Sequence, residues 1–212
     1  MFAKKSLGQN FLNSPSAIKR IIDSARLTIK DIVLEIGPGR GVLTKELLSN
    51  SKKVIAIEKD TELIPLLKKK FAEKIKSGKL VLINEDALKT DLEKVKLKNE
   101  KFKLVANIPY YITGQIIRTF LENKLRPSLM VLMIQKEVAE RIARDKKESL
   151  LSLSVKAFGS PKYIITVPNT AFIPTPKVDS AILLIDQISN KNFTKRKDKE
   201  NFFSLIHAGF TQ

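Results

Sequence analysis

Read from its N-terminus, the chain alternates between short apolar runs and longer stretches whose apolar residues recur every three or four positions. The runs at Asp31–Ile36, Lys53–Ile57, Leu80–Ile83, Phe102–Ile108 and Leu129–Ile134 are rich in Val, Ile and Leu and are bounded by Gly, Asn or charged residues. Near-continuous runs of this kind predict strands covered on both faces. Ahead of them, Ile18, Ile21, Ile22 and Ala25 keep a helical period behind Ser14-Pro15-Ser16, a helix start with a capping serine and a first-turn proline. Helical patterns also cover Val42–Leu48, Ile116–Asn123, Lys136–Asp145 and the lysine-rich stretch Asp60–Lys76, which Pro65 is expected to kink. The alternation predicts a mostly parallel sheet with helices on both faces.

After Ser149 the pattern changes. Tyr163–Val167 and Ser180–Ile185 read as two strands joined by a segment too short for a parallel crossover. They predict an antiparallel hairpin at one edge, which brings the sheet to seven strands. Lys191–Lys199 reads as a charged linker and Glu200–Phe210 as a short amphipathic helix, while no element is assigned between 146 and 162.

Composition narrows the chemistry. With 43% hydrophobic residues in 212, the chain can bury a sizeable core. It has no Cys, which excludes disulfides, thiolate metal sites and cysteine nucleophiles. A single His, His207, argues against a Ser-His-Asp triad or a multi-histidine metal site. No metal site is expected. A net charge of +17 suits a polyanionic partner, although a solvated lysine surface would give the same number. No apolar run approaches the roughly 18 residues of a membrane span, and Met1-Phe2-Ala3-Lys4-Lys5 is not followed by a signal core. A cytoplasmic protein is the expectation.

Ligands of an open parallel sheet sit outside the carboxyl ends of its strands. Four stations fall there: Gly37-Pro38-Gly39-Arg40-Gly41, Glu58, Asp86-Ala87 and Asn107-Ile108-Pro109-Tyr110-Tyr111. The glycines admit a ligand close to the backbone, Glu58 can accept both hydroxyls of a ribose, and Asp86 can accept from an adenine amino group. A dinucleotide dehydrogenase would show Gly-x-Gly-x-x-Gly, whereas the spacing here is Gly-x-Gly-x-Gly with Glu35 two residues ahead. S-adenosylmethionine (SAM) is the better ligand. Taken singly, Glu58 and Asp86 could equally cap the helices that follow them. The amide oxygen of Asn107 and the carbonyl of Ile108 can accept from an exocyclic amino group, Pro109 holds that carbonyl in place, and Tyr110 can stack on a base. Ordinary strand-to-turn punctuation is the alternative for those four residues taken alone.

Five motifs in order carry a resemblance: Leu7-Gly-Gln-Asn-Phe-Leu12, Glu35-Ile-Gly-Pro-Gly-Arg-Gly41, Asn107-Ile-Pro-Tyr110, Gln135-Lys-Glu-Val-Ala-Glu-Arg-Ile142 and Phe172-Ile-Pro-Thr-Pro-Lys-Val-Asp-Ser-Ala181. The chain resembles the rRNA adenine dimethyltransferases, the kasugamycin-sensitivity family. The resemblance implies a Rossmann-like SAM-dependent methyltransferase. Such an enzyme dimethylates the 6-amino groups of two adjacent adenosines near the 3′ end of small-subunit rRNA during ribosome biogenesis. It implies cofactor contacts at Asn10, Leu12, Gly37, Glu58, Asp86 and Asn107, and target-base contacts at Asn107, Tyr110 and Phe172; the reading of the strand ends adds Gly39 and Ala87 to the first set and Ile108 and Pro109 to the second. Tyr110 and Phe172 would sandwich the extruded base; a loop aromatic pinning the hairpin to the core is the other reading of Phe172. Partners follow: rRNA in the small subunit, no membrane, and a monomer.

The macrolide-resistance methyltransferases of large-subunit rRNA share the Asn-Ile-Pro-Tyr pattern, but the Gln135-Lys136-Glu137 run and Asp179-Ser180-Ala181 resemble the small-subunit family more. A non-catalytic RNA-binding factor on the same scaffold would need neither the glycine loop nor Asn107–Tyr110. Residues 1–188 read as the catalytic domain, and 189–212 as a linker plus the first helix of a C-terminal helical domain that the chain only begins. That helix would leave Phe202 and Phe203 without a partner. Lys4, Lys5, Arg141 and Arg144 are candidates for phosphate contacts, Lys68, Lys69 and Lys70 read as a solvated helix face, and His207 as a non-catalytic helix residue.

Overall fold

The computed structural model describes residues 3–4, 7–93, 97, 101–193 and 195–210. In chain order the elements are β1 (Phe11–Leu12), α1 (Pro15–Ala25), β2 (Ile32–Ile36), α2 (Val42–Asn50), β3 (Lys53–Glu58), α3 (Leu63–Lys70), α4 (Ala72–Lys76), β4 (Leu80–Asn84) and β5 (Phe102–Asn107). They continue with α5 (Thr113–Glu122), β6 (Leu129–Gln135), α6 (Lys136–Ala143), α7 (Leu150–Phe158), β7 (Ser160–Val167), β8 (Phe172–Ile173), β9 (Ser180–Asp186) and α8 (Arg196–Phe210). Seven strands form one sheet in the order β4-β3-β2-β5-β6-β9-β7, and β1 and β8 pair separately. The first five of that order are parallel; β9 runs antiparallel to β6, and β7 antiparallel to β9. The expected edge hairpin is therefore present, with β9 as its inner strand.

Alternation along the strands divides the core into two layers. Leu34, Ile36, Leu104 and Ala106 face helices α5, α6 and α7, while Val33, Val54, Ala56 and Val105 face α1, α2 and α3. Both sides of each central strand are apolar, as burial under two helical layers requires. Strand order reverses between β2 and β5: the chain builds outward from β2 to β4, then returns to lay β5 on β2's other side. The carboxyl ends of β2 and β5 thus diverge into loops at a switch point, where this class of sheet opens a crevice.

Three local expectations are corrected. Pro65 does not kink a helix from Asp60 to Lys76. It is the third residue of α3, where its missing N–H costs no intrahelical bond, and the break falls at Phe71 between α3 and α4. Helix α7 was not foreseen because Ser152 and Ser154 occupy its buried face and interrupt the apolar period. The Ser154 hydroxyl donates to the Leu150 carbonyl (2.6 Å), and Ser149 and Ser152 form a reciprocal cap at the start. Helix α8 begins at Arg196 and is docked rather than unpartnered. Phe203 stacks on Phe158 (6.1 Å between centroids), Phe202 lies 5.5 Å from Phe193, and the Lys199 ammonium donates to the Glu122 carbonyl (3.1 Å) at the end of α5.

Truncating Phe203 checks this docking. Phe203→Ala removes the ring packed between Phe158 and Phe193 and should lower unfolding free energy by about 1–3 kcal/mol, less than a fully enclosed Phe would cost. Urea unfolding of parent and variant measures it; an unchanged midpoint would show that α8 is not held to the domain.

Candidate active site

At the switch point the loops line an open cleft. Ten of the twelve residues expected to bind cofactor or base line it: Asn10, Gly37, Gly39, Glu58, Asp86, Ala87, Asn107, Ile108, Pro109 and Tyr110. Leu12 and Phe172 do not. The Leu12 side chain is buried in the core and borders only a smaller neighbouring cavity beside the glycine loop. Phe172 is 1% exposed, pairs with Leu12 across β1 and β8, and packs in the layer under α1 and α2. In this structure Phe172 thus pins its loop to the core and does not stand opposite Tyr110 across the cleft.

The glycine loop is shaped by positive φ and by Glu58. Gly39 has φ +57°, and a Cβ there would sit 3.1 Å from the Phe11 ring. Its N–H donates to Glu58 Oε2 (3.0 Å), while the Asp60 N–H donates to Oε1 (2.8 Å). Glu58 is thus fixed between loop and strand end, with spare lone pairs turned to the cleft. Burial pushes its carboxyl up, and those N–H groups oppose the rise. Gly41 has φ +72°, and a Cβ would collide with Phe71 at 2.5 Å. The loop's outer side is held by Lys70, whose ammonium donates to the carbonyls of Arg40 (2.8 Å) and Gly41 (3.3 Å). Lys70 is therefore a loop anchor, unlike the solvated face expected of it.

The far wall carries Asp86, which Lys59 grips at 2.9 Å. That ion pair holds the Asp86 carboxyl below its ordinary value, and the Leu88 N–H donating to Oδ1 adds to it. The roof is the N-terminal arm. Burial would raise the Asp60 carboxyl, but Lys4 (2.7 Å) and the Gln9 amide (2.7 Å) donate to it and hold it below its ordinary value. Lys4 also reaches Glu62 (2.9 Å), so in this structure its charge is paired within the fold. Lys5 lies outside the described residues. Helix α6 runs back from the carboxyl edge, and the Arg144 guanidinium lies 3.8 Å from the centre of the Tyr163 ring, level with mid-β6. It does not flank the cleft as expected. Asp60, Lys59 and Gln9 were missed as site residues; the buried carboxylate at Asp60 is invisible in a sequence where it reads as a helix start.

Asn107 closes β5. Its side-chain NH2 donates to the Asn10 carbonyl at 3.1 Å. A carbonyl can only accept, so this bond fixes which end of the amide is nitrogen and turns the oxygen away from the arm. Ile108 lies one residue past the last β5–β6 ladder pair, Asn107 with Met133, and Pro109 follows with φ −57°. Tyr110 opens a single helical turn, and its phenol is 2.8 Å from the Ser180 hydroxyl. Burial raises the Tyr110 phenol, so the ring stays neutral. Among the described residues, no cluster of His, Cys, Asp or Glu could hold a metal ion, and no helix is long and apolar enough to cross a membrane.

Beneath the loop, Glu35 is 1% exposed and its Oε2 has no partner among the described residues. Burial pushes its carboxyl up to about 8, opposed by the Thr44 hydroxyl and reinforced by the Glu58 carboxylate. A carboxyl raised in the folded state supports folding at low pH, and that support is lost as pH rises from about 4.5 to about 8. Glu35→Gln, neutral throughout, should therefore gain stability relative to the parent across that interval, by at most on the order of 5 kcal/mol, and no further above it. Urea unfolding at pH 5 and pH 8.5 reads the difference; a gap independent of pH would contradict it.

The family model described as ribosomal RNA adenine dimethylase matches residues 2–212. Ribosomal RNA small subunit methyltransferase A of Dehalococcoides mccartyi is 45% identical over 209 residues, covering 98% of this chain and 70% of that protein. The protein of the same name from Clostridium botulinum is 41% identical, covering 97% and 74%. Among solved structures, a dimethyladenosine transferase from Plasmodium falciparum superposes with a TM-score of 0.78 at 34% identity, covering 93% of this chain and 69% of that one. The 23S rRNA methyltransferase ErmE superposes with a TM-score of 0.79 at 29% identity, covering 93% and 78%. Shape alone does not separate these two neighbours, but family model and sequence identity agree: the chain belongs to the ribosomal RNA adenine dimethylase family.

Proposed function

We propose that the cleft binds SAM and that the chain dimethylates the 6-amino groups of two adjacent adenosines in small-subunit rRNA. The observation that carries this is the Asn107 amide, tied through its nitrogen to the Asn10 carbonyl and leaving its oxygen as an acceptor beside Ile108, Pro109 and Tyr110. The cofactor fits the residues present. Glu58 is held where a ribose would meet it, Asp86 and Ala87 form the wall an adenine would lie on, and Gly37 and Gly39 admit a close approach. Asp60 and Asp86 are each paired with a lysine, Lys4 and Lys59, so Glu58 is the carboxylate left to favour a cation. When bound, the cofactor supplies a methyl group carried on a sulfonium.

The chain's own residues solve a different problem. The amino nitrogen of adenine is a poor nucleophile because its lone pair is delocalised into the ring. Two fixed acceptors, Asn107 Oδ1 and the Ile108 carbonyl, draw its hydrogens toward them and favour a pyramidal nitrogen with its lone pair freed. This is orientation and electrostatic stabilisation, with no general base of near-neutral pKa required. Tyr110 stacks on the extruded base. Once the nitrogen has taken a methyl group, it carries the positive charge and releases its proton to water. The small-subunit assignment is supported by the relatives so named, which are nearer in sequence than ErmE. A purely RNA-binding role would leave the Asn107–Asn10 bond and the glycine-loop geometry without a purpose.

Asn107→Ala separates chemistry from cofactor binding. Losing one acceptor of the transition state should slow methyl transfer by roughly a hundredfold, with SAM affinity by calorimetry within about tenfold of the parent. Transfer at the parental rate would remove Asn107 from the mechanism.

A further inference from the structure

Every residue of β9 is buried, and Ser180 is 0% exposed. It is covered on both sides in the sheet, opposite Gln135 on β6 and Val167 on β7. A hydroxyl in that setting needs a reason, since alanine would pack there without a polar atom to satisfy. Its hydrogen-bond partner is the phenol of Tyr110, 70 positions earlier in the chain.

The contact gives Tyr110 a second point of attachment. Pro109 fixes the backbone where Tyr110 starts, but it leaves the ring free to turn about its side-chain bonds. Holding the phenol tip as well fixes the plane of the ring. The adjacent Tyr111, by contrast, is 62% exposed. Stacking on a base uses the face of the ring and not its hydroxyl, so phenylalanine would stack equally well. The anchor itself is rigid. Lys136 N–H donates to the Asp179 carbonyl (3.0 Å), Asp179 accepts from the Asn169 N–H (3.0 Å), and the Asn169 amide donates to the Pro176 carbonyl (3.2 Å).

We propose that Ser180 is a positioning residue for methyl transfer, holding the Tyr110 ring in the plane on which the target base stacks. This rests on the reading of Tyr110 as the stacking residue. Ser180 is buried and does not line the cleft, so its effect passes through the phenol.

A double-mutant cycle tests it, with single-turnover methyl transfer from SAM to small ribosomal subunits at saturating concentrations of both. Ser180→Ala and Tyr110→Phe should each slow transfer by roughly tenfold, as loss of orientation does. The double variant should be no slower than the slower single, because both remove the same bond. SAM affinity by calorimetry should stay at the parental value in all three, which a merely structural defect would not allow. Losses that multiply to roughly a hundredfold in the double variant would overturn the proposal. So would a parental rate in Tyr110→Phe, an arm that stands even if Ser180→Ala fails to fold. Tyr110→Ala keeps the two readings apart. A parental rate there overturns the stacking role itself, whereas a large loss there beside a parental Ser180→Ala overturns the Ser180 assignment alone.

Discussion

The hydrogen bond from the Asn107 amide to the Asn10 carbonyl is the constraint on which the site depends. It joins the end of the central strand β5 to an arm that arrives from almost a hundred residues earlier. It closes the cleft from above and decides at the same time which atom of the amide faces inward. A net gain of about 1 kcal/mol is typical of such a bond, but the orientation it imposes matters more than the energy. With the amide reversed, the site would present a donor to an amino group and could not hold one.

The rest of the arm keeps that carbonyl in place. Lys4 and Gln9 are fastened to Asp60, which is 4% exposed, and β1 pairs with β8, so the roof of the cleft and the loop after β7 are parts of one structure. Below, Glu58 takes its position from the glycine-loop and Asp60 N–H groups, and Glu35 lies beneath it as a buried acid. The carboxylates at the end of the sheet are thus held by backbone donors and lysines on their outer sides, with the cleft on their inner side. That division is what a cationic, nucleoside-bearing ligand needs.

Much of this was legible in the chain. The glycine spacing, the carboxylates at strand ends and the Asn107–Tyr110 run each fall where apolar periodicity ends a strand, and seven strands with an edge hairpin follow from run lengths and one short connection. What escaped has physical reasons. Phe172 and Leu12 carry motif positions but point into the core, and a motif does not say which face its aromatic takes. Lys70 reads as a solvated face and Lys4 as a phosphate contact, because their partners are backbone carbonyls and a buried Asp60 brought near only by the fold. Helix α7 hid behind two serines whose hydroxyls bond within their own helix or cap. The docking of α8 depends on aromatic contacts such as Phe158 with Phe203, 45 positions apart, which no local pattern announces.

Dimethylation of adenosine in small-subunit rRNA by this cleft can be read out directly. The most direct measurement incubates the chain and SAM with small ribosomal subunits from cells lacking the modification, then maps methylated nucleosides by nuclease digestion and mass spectrometry. Dimethyladenosine is expected at two adjacent positions near the 3′ end of the small-subunit rRNA, and none in naked large-subunit rRNA treated alongside. Methylation confined to large-subunit rRNA, or transfer to a base other than adenine, would contradict it.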